Sequence, residues 1–336
     1  MTDAAAEPST GAAADGSAAV RAVFFGSGSF AVPILDALAE LPGVRLEAVV
    51  SAPDRPVGRK AIVTPTPVTA RARELGLPVL QPVRVRREES VAALRELAPD
   101  LIVLADYGQL IPRVLLDLPA RGFLNLHPSA LPRHRGAAPI PATILAGDAE
   151  SAVTLIVVTD EMDAGPIVAA APLDVRPDDT AVTLETRAAD VAAALLRRTL
   201  PEWLAGRLEA RPQPTEGVTM TRPLRRDDGR LDPERSAVEL ERQVRAYQPW
   251  PGSFIEIDKT RGGRLIVKNA RAAPSQPGDG DLMGGLGPPS VGFVGPSEPP
   301  FFQTSNGRLV LQVVQTAGGR AMDATDYLRG HPDIVR

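Results

Sequence analysis

Ala22-Val23-Phe24-Phe25-Gly26-Ser27-Gly28-Ser29-Phe30-Ala31 opens the body of the chain. A short apolar run breaks on Gly-Ser-Gly-Ser, and residues 30–41 then carry apolar side chains at helical spacing. This is a buried strand, a tight turn and a helix. The rhythm continues downstream. Residues 46–50, 78–80, 101–105 and 123–126 read as further buried strands, and 90–97 as a helix that stops before Pro99. Runs that are apolar on both faces and separated by helices predict an α/β fold with a mostly parallel sheet covered on both sides. Residues 154–158 and 167–175 add strands, and 180–204 is a long helix rich in Ala and Leu.

The chain has 336 residues, enough for about two domains. Residues 1–20 are mostly Ala, Gly, Ser and acidic residues, with no Lys or Arg. They lack the basic start of a secretory signal and the Arg of a transit peptide, so a disordered tail on a cytoplasmic protein is expected. The first domain is expected over 21–206. A linker over 207–220 carries Pro212, Pro214 and Gly217. The second domain, 221–332, begins with an amphipathic helix (236–247). Short strand-like stretches follow at 253–257, 264–269, 291–294 and 308–314, the pattern of a small β-barrel. Residues 273–300 are dense in Gly and Pro and read as a flexible loop.

Composition removes several classes of chemistry. With no Cys there is no disulfide, cysteine–zinc site or thiol nucleophile. With three His (His127, His134, His331) a His-rich metal cage is excluded. No apolar run approaches the roughly 18 residues of a membrane span. The net charge of −4 argues against a protein that coats nucleic acid generically. The charge is uneven, however. Residues 54–95 carry a net +5 and residues 207–271 a net +4. Such runs are either solvated surface or a polyanion-binding face.

Four motifs carry polar chemistry. Gly26–Ala31 fits G-x-G-x-x-A, the dinucleotide fingerprint. Its candidate ribose-binding acid, Asp54, comes 28 residues after Gly26 and lies between Pro53 and Pro56. An NAD site and a plain tight turn both remain open on these residues. Asn125-Leu126-His127-Pro128 ends a strand, so Asn125 and His127 point to the same face. The carboxyl end of a parallel sheet is where ligands bind. An amide beside an imidazole is either a hydrogen-bonded structural pair or a pair acting together on a carbonyl. Ser129 to Pro139 then forms a defined loop whose Arg133 and Arg135 are either anion holders or solvated. Asp160-Glu161-Met162-Asp163-Ala164-Gly165-Pro166 offers three carboxylates before a turn, and a carboxylate near an imidazole orients it and raises its basicity.

Asn125-x-His127-Pro-Ser-x-Leu131-Pro132-Arg133-x-Arg135-Gly136-Ala-Ala-Pro139, followed by Asp163-x-Gly165-Pro166, resembles the 10-formyltetrahydrofolate-dependent formyltransferases. Three stretches bring the resemblance to members that act on methionyl-tRNA. Pro53–Lys60 with Thr64-Pro-Thr-Pro67 is similar to their basic insertion loop. Ala105–Pro112 is similar to their folate-side loop. Asp228–Asp232 with Arg245–Phe254 is similar to their C-terminal domain. His134 departs from the pattern, because the family usually has an aromatic there.

The resemblance covers about residues 21–330. It implies a Rossmann-like N-terminal domain and an OB-like C-terminal barrel. The co-substrate implied is 10-formyltetrahydrofolate, and the implied partner is initiator methionyl-tRNA. No metal and no membrane are implied, and a monomer is expected. Asn125 and His127 would donate hydrogen bonds to the developing oxyanion, and Asp163 would keep His127 protonated. Ser129, Ala130, Leu131, Pro132, Tyr107 and Gln109 would line the folate site. Arg59 and Lys60 would reach the tRNA acceptor stem. The competing expectations are an amino-sugar-nucleotide N-formyltransferase, an NAD-dependent dehydrogenase built on Gly26–Ala31, and a non-catalytic RNA-binding module.

Overall fold

A computed structural model describes residues 19–58, 61–256, 263–274, 291–292 and 299–331. Arg59, Lys60 and most of the expected flexible loop at 273–300 lie outside the described residues, as does nearly all of the expected tail.

The first half of the chain folds as β1 (Val20–Gly26), α1 (Val32–Ala39), β2 (Val44–Val50), a hairpin of β3 (Arg55–Val57) and β4 (Ile62–Thr64), α2 (Pro67–Glu74), β5 (Val79–Leu80), α3 (Glu88–Glu96) and β6 (Leu101–Ala105). It continues through α4 (Arg113–Leu116), β7 (Phe123–His127), β8 (Arg135–Gly136), α5 (Pro139–Ala146), β9 (Glu150–Val157), β10 (Ile167–Asp174) and α6 (Ala181–Leu204). The main sheet has the order β10-β9-β7-β6-β1-β2-β5. Its β5-β2-β1-β6-β7 portion is parallel, whereas β9 and β10 add as an antiparallel hairpin. The order turns back at β1, so the carboxyl ends of β1, β6 and β7 surround the switch point where ligands bind in such sheets.

The two faces of the sheet explain its apolar strands. Alternate residues Ala22 and Phe24 join α1 and α6 in one core, and Val23 and Phe25 join α3 and Tyr107 in the other. The long helix α6 starts at a capping box in which Thr180 accepts the Thr183 N–H and the Thr183 hydroxyl accepts the Thr180 N–H. Its Ala- and Leu-rich stripe is buried against the sheet.

The second half comprises β11 (Met220–Thr221), α7 (Ala237–Ala246), β12 (Ser253–Glu256), β13 (Arg264–Ala273), β14 (Val291–Gly292), β15 (Phe301–Gln303), β16 (Arg308–Thr316), β17 (Ala321–Asp323) and α8 (Ala324–Arg329). An antiparallel sheet runs β12-β13-β16-β15-β14, with β17 also on β16. It encloses its own core around Leu240, Val267, Phe302 and Leu311. Helix α7 also serves the first domain, because Ala246 and Tyr247 join that core and Arg245 donates to the Asp179 carbonyl. Among the described residues no helix is long and apolar enough to cross a membrane.

The connection between the halves is not a free tether. Arg211 pairs with Ile167 on β10, and β11 pairs in parallel with β8. The segment therefore lies along the loop that follows β7.

Candidate active site

Strand β7 places Asn125 and His127 on one face at its carboxyl end. Both are buried, at 7% and 5% exposure. The loop after β9 brings Asp163 to them. Asn125 Nδ2 donates to Asp163 Oδ1 at 3.2 Å, and His127 Nδ1 lies 3.6 Å from Asp163 Oδ2. The Gly136 N–H donates to the same Oδ2 at 2.8 Å. Asp163 sits at φ +51°, a left-handed conformation that costs a non-glycine residue roughly 1–2 kcal/mol. Gly165 lets the loop turn tightly, since a Cβ there would stand 1.7 Å from the Val157 carbonyl oxygen. The spacing Asp163-x-Gly165 is thus a packing requirement at the end of β9.

The imidazole of His127 is held from its other side. Nε2 is 2.9 Å from the carbonyl oxygen of His134. A carbonyl only accepts, so Nε2 carries a proton and donates it. Any proton on Nδ1 then faces Asp163. With Nε2 given to that carbonyl, Nδ1 is the ring nitrogen on the side of Asn125 and Asp163. His134 aims its carbonyl from φ +58°. Its ring is fixed by Asp148 (Nε2 to Oδ2, 2.8 Å), and its N–H donates to the Thr219 hydroxyl at 2.8 Å. Burial raises the Asp148 pKa, but hydrogen bonds from Arg133 and His134 outweigh it and hold the carboxyl below its ordinary value. The unusual His134 therefore has a structural partner set of its own.

The loop cations are engaged. Arg133 pairs with Asp148 at 2.7 Å, and Arg135 donates twice to Gln213 Oε1 at 3.0 and 2.7 Å. Ser129 is fully buried; its hydroxyl donates to the Arg133 carbonyl, and its own carbonyl accepts from Thr154. Leu131 is buried, with Ala130 and Pro132 half-buried beside it. Tyr107 is buried with its ring edge-on to Phe25 at 5.1 Å, and desolvation raises its phenol pKa. Gln109 accepts the Val85 N–H and donates to the Pro82 carbonyl. The side chains of Ser129, Tyr107 and Gln109 are therefore spent on holding their own loops.

The dinucleotide reading fails on the same edge of the sheet. A Cβ on Gly28 would lie 1.8 Å from Asp106 Oδ2, and the Gly28 N–H serves that carboxylate. The donor that a pyrophosphate would need is taken by a negative side chain, with Glu185 nearby. Gly26 is equally a packing glycine, with the Phe24 ring 2.7 Å from its Cβ position.

Sequence reasoning missed Gln213, Thr219 and Thr221. Thr221 accepts from Ala138 N–H and donates to the Arg135 carbonyl. None has a local signal, because their partners are 48 to 86 positions away.

Comparison with known proteins gives the family. Residues 20–200 match the Formyl transferase model, and residues 223–332 match the Formyl transferase, C-terminal domain model. The chain is 42% identical over 312 residues to methionyl-tRNA formyltransferase of Myxococcus xanthus, covering 93% of this chain and 95% of that one. It is 44% identical over 313 residues to methionyl-tRNA formyltransferase of Thermus thermophilus, covering 93% and 96%. Among solved structures it is similar to an N-formyltransferase from Helicobacter canadensis in complex with folinic acid and dTDP-3-aminofucose. That match has a TM-score of 0.62 at 14% identity, covering 87% of this chain and 99% of that one. HypX from Aquifex aeolicus in complex with tetrahydrofolic acid matches at TM-score 0.60 and 16% identity, covering 94% and 48%. These two likenesses concern the fold. With both domain models matched in order and near full-length relatives above 40% identity, the chain belongs to the formyl transferase family.

Proposed function

We infer that the protein transfers a formyl group from 10-formyltetrahydrofolate to the α-amine of methionyl-tRNA. One observation carries the chemistry: Asn125, His127 and Asp163 converge at the carboxyl end of β7. The choice of acceptor is supported by the methionyl-tRNA formyltransferases that match over 93% of the chain.

Bound folate supplies the formyl group. The donor set suits a formyl oxygen, since Asn125 Nδ2 has a second hydrogen beyond the one given to Asp163. As the amine attacks the formyl carbon, negative charge develops on that oxygen. Asn125 Nδ2 stabilises it as a donor, worth about 3–4 kcal/mol, and His127 adds a second donor at Nδ1 only as the imidazolium, with both ring nitrogens protonated. The fixed Nε2–H bond to His134 keeps the ring from reorienting while this happens. Asp163 takes up or relays the amine proton, directly or through water, to the folate nitrogen; as the tetrahedral centre collapses, the bond from the formyl carbon to that nitrogen breaks and tetrahydrofolate leaves. The amine of an aminoacyl ester is partly neutral near pH 7, so a weak base suffices. We assign the folate contacts to the backbone along Ser129, Ala130, Leu131 and Pro132 and to the turn at Tyr107 and Gln109, whose side chains support that turn.

The β3–β4 hairpin presents Ile62 and Val63 at 62% and 64% exposure. We assign this hairpin, together with Arg59 and Lys60 between its two strands in the sequence, to the tRNA acceptor stem. The reaction is assigned to a monomer in the cytoplasm, where charged tRNA is used.

The deciding experiment is a formylation assay with charged initiator tRNA, uncharged tRNA and a UDP-amino sugar. Formylation of the charged tRNA alone is expected. Formylation of the sugar alone would replace this reading with the amino-sugar one. Raising salt from 50 to 200 mM should weaken tRNA binding at least tenfold and barely change folate binding, because phosphate contacts release counterions.

A further inference from the structure

We propose that Gln213 is a positioning residue of the active site, through which the segment between the two domains sets the geometry of Asp163. This rests on the formyl-transfer reading above. Gln213 is half-buried and uses its whole carboxamide. Nε2 donates to the Asp163 carbonyl at 2.7 Å and to the Gly165 carbonyl at 2.8 Å. Oε1 accepts both Arg135 contacts. One amide therefore ties the loop that carries Asp163 to the loop that follows His127.

The orientation matters chemically. Asp163 occupies a left-handed backbone conformation that its local sequence does not favour. Its side chain is fixed by Asn125 and the Gly136 N–H. Its backbone is fixed by Gln213, one residue on either side of Ala164. Gly136 and Arg135 are themselves paired with β11 in the same segment. The segment thus holds both partners of the His127–Asp163 contact, and the 3.6 Å separation between them depends on its hold.

Gln213→Glu separates the two halves of this clamp. A carboxylate keeps Arg135 and presents only acceptors to two carbonyl oxygens. Gln213→Met is the uncharged comparison and removes both halves at similar volume. Gln213 touches no reacting atom, so its loss acts through the position of Asp163. We expect kcat for formylation to fall about 10- to 100-fold, since an ångström-scale misplacement is worth up to about that much. KM for 10-formyltetrahydrofolate should stay within about twofold, and the unfolding midpoint should be little changed. With three His in the chain, the His127 ring nitrogens are assignable by ¹⁵N NMR using His134→Gln and His331→Gln. Their shifts should move in both Gln213 variants in proportion to the loss of kcat.

Unchanged kcat in both variants would overturn the proposal. So would a loss that tracks unfolding while the His127 signals stay in place. If Gln213→Glu does not fold, Gln213→Met decides by the same two readouts. Asn125→Ala run in parallel keeps the readings apart. If it abolishes turnover while the Gln213 variants do not change it, the positioning role falls alone; if wild-type protein does not formylate methionyl-tRNA, the function falls first.

Discussion

The ends of β1 and β7 lie on the same edge of the same sheet, and each runs into a loop that reads as a ligand site. At β1 the turn is closed. The Gly28 N–H is given to Asp106, and the glycines exist because side chains crowd the space where a Cβ would go. At β7 the polar groups are gathered but not exhausted. Asn125 retains a hydrogen, and the His127–Asp163 contact at 3.6 Å is longer than a formed hydrogen bond. A glycine pattern marks close packing, whereas convergent donors with spare capacity mark chemistry.

The largest effect is expected at β7. Asn125→Ala, His127→Ala and Asp163→Ala should each lower kcat by about 10²–10³, the loss of an oxyanion donor or of the group that orients it. Global stability should fall far less than activity does. Single-turnover formylation beside urea unfolding separates the two. Near-normal turnover in all three variants would remove the distinction between the strand ends.

At β1 the expectation reverses. Gly28→Ala puts a methyl against the end of the Asp106 side chain, which is exposed and must move aside, so it should cost no more than about 1 kcal/mol of stability, the low end of the range for overpacking. Folded protein should keep its turnover. Adding Asp106→Ala should recover much of the loss, because the two sites share one contact. Fluorescence titration with nicotinamide dinucleotide should show no binding in wild type. Saturable binding there, or a Gly28→Ala variant that is stable but inactive, would make β1 part of a ligand site after all.

The contrast also explains what a sequence reader can see. The parallel strands are legible because they are buried on both faces and read as unbroken apolar runs. Asn125 and His127 are legible because a two-residue period and a following Pro place them together at a strand end. Other features have no such period. The strand at Val79–Leu80 is found although it is two residues long, whereas β9 begins at Glu150, within a mixed polar stretch ahead of the apolar run that starts at 154. Helix α2 lies inside a basic segment whose charges hide its buried Val68 and Ala72. Thr219 and Gln213 matter through single long-range hydrogen bonds, so residues 207–220 look like a linker by composition and yet lie against the site.

The smallest and most discriminating effect concerns Asp106 itself. Desolvation first, and then the Glu185 charge, raise its pKa, although Asp106 is exposed at the surface, with the Gly28 N–H opposing them. A carboxyl whose folded pKa exceeds its unfolded one binds protons on folding, so stability falls as pH rises through the interval between the two values. Below about pH 4, the unfolded value, that cost is absent; above the folded value it is present in full. Asp106→Asn keeps an acceptor for Gly28 and removes the charge. It should therefore be more stable than wild type at pH 8, with the advantage shrinking towards pH 4, as read by urea midpoints across the range. A catalytic carboxylate would give the opposite pattern: an activity loss at every pH and no such trend in stability. Asp163→Asn is the matched comparison, because its carboxylate faces two N–H donors and an imidazole rather than a second acid. If the two variants behave alike, the charge at β1 is functional and the closed-turn reading is wrong; if they diverge, one sheet edge carries two carboxylates with opposite tasks, and only the one at β7 belongs to the reaction.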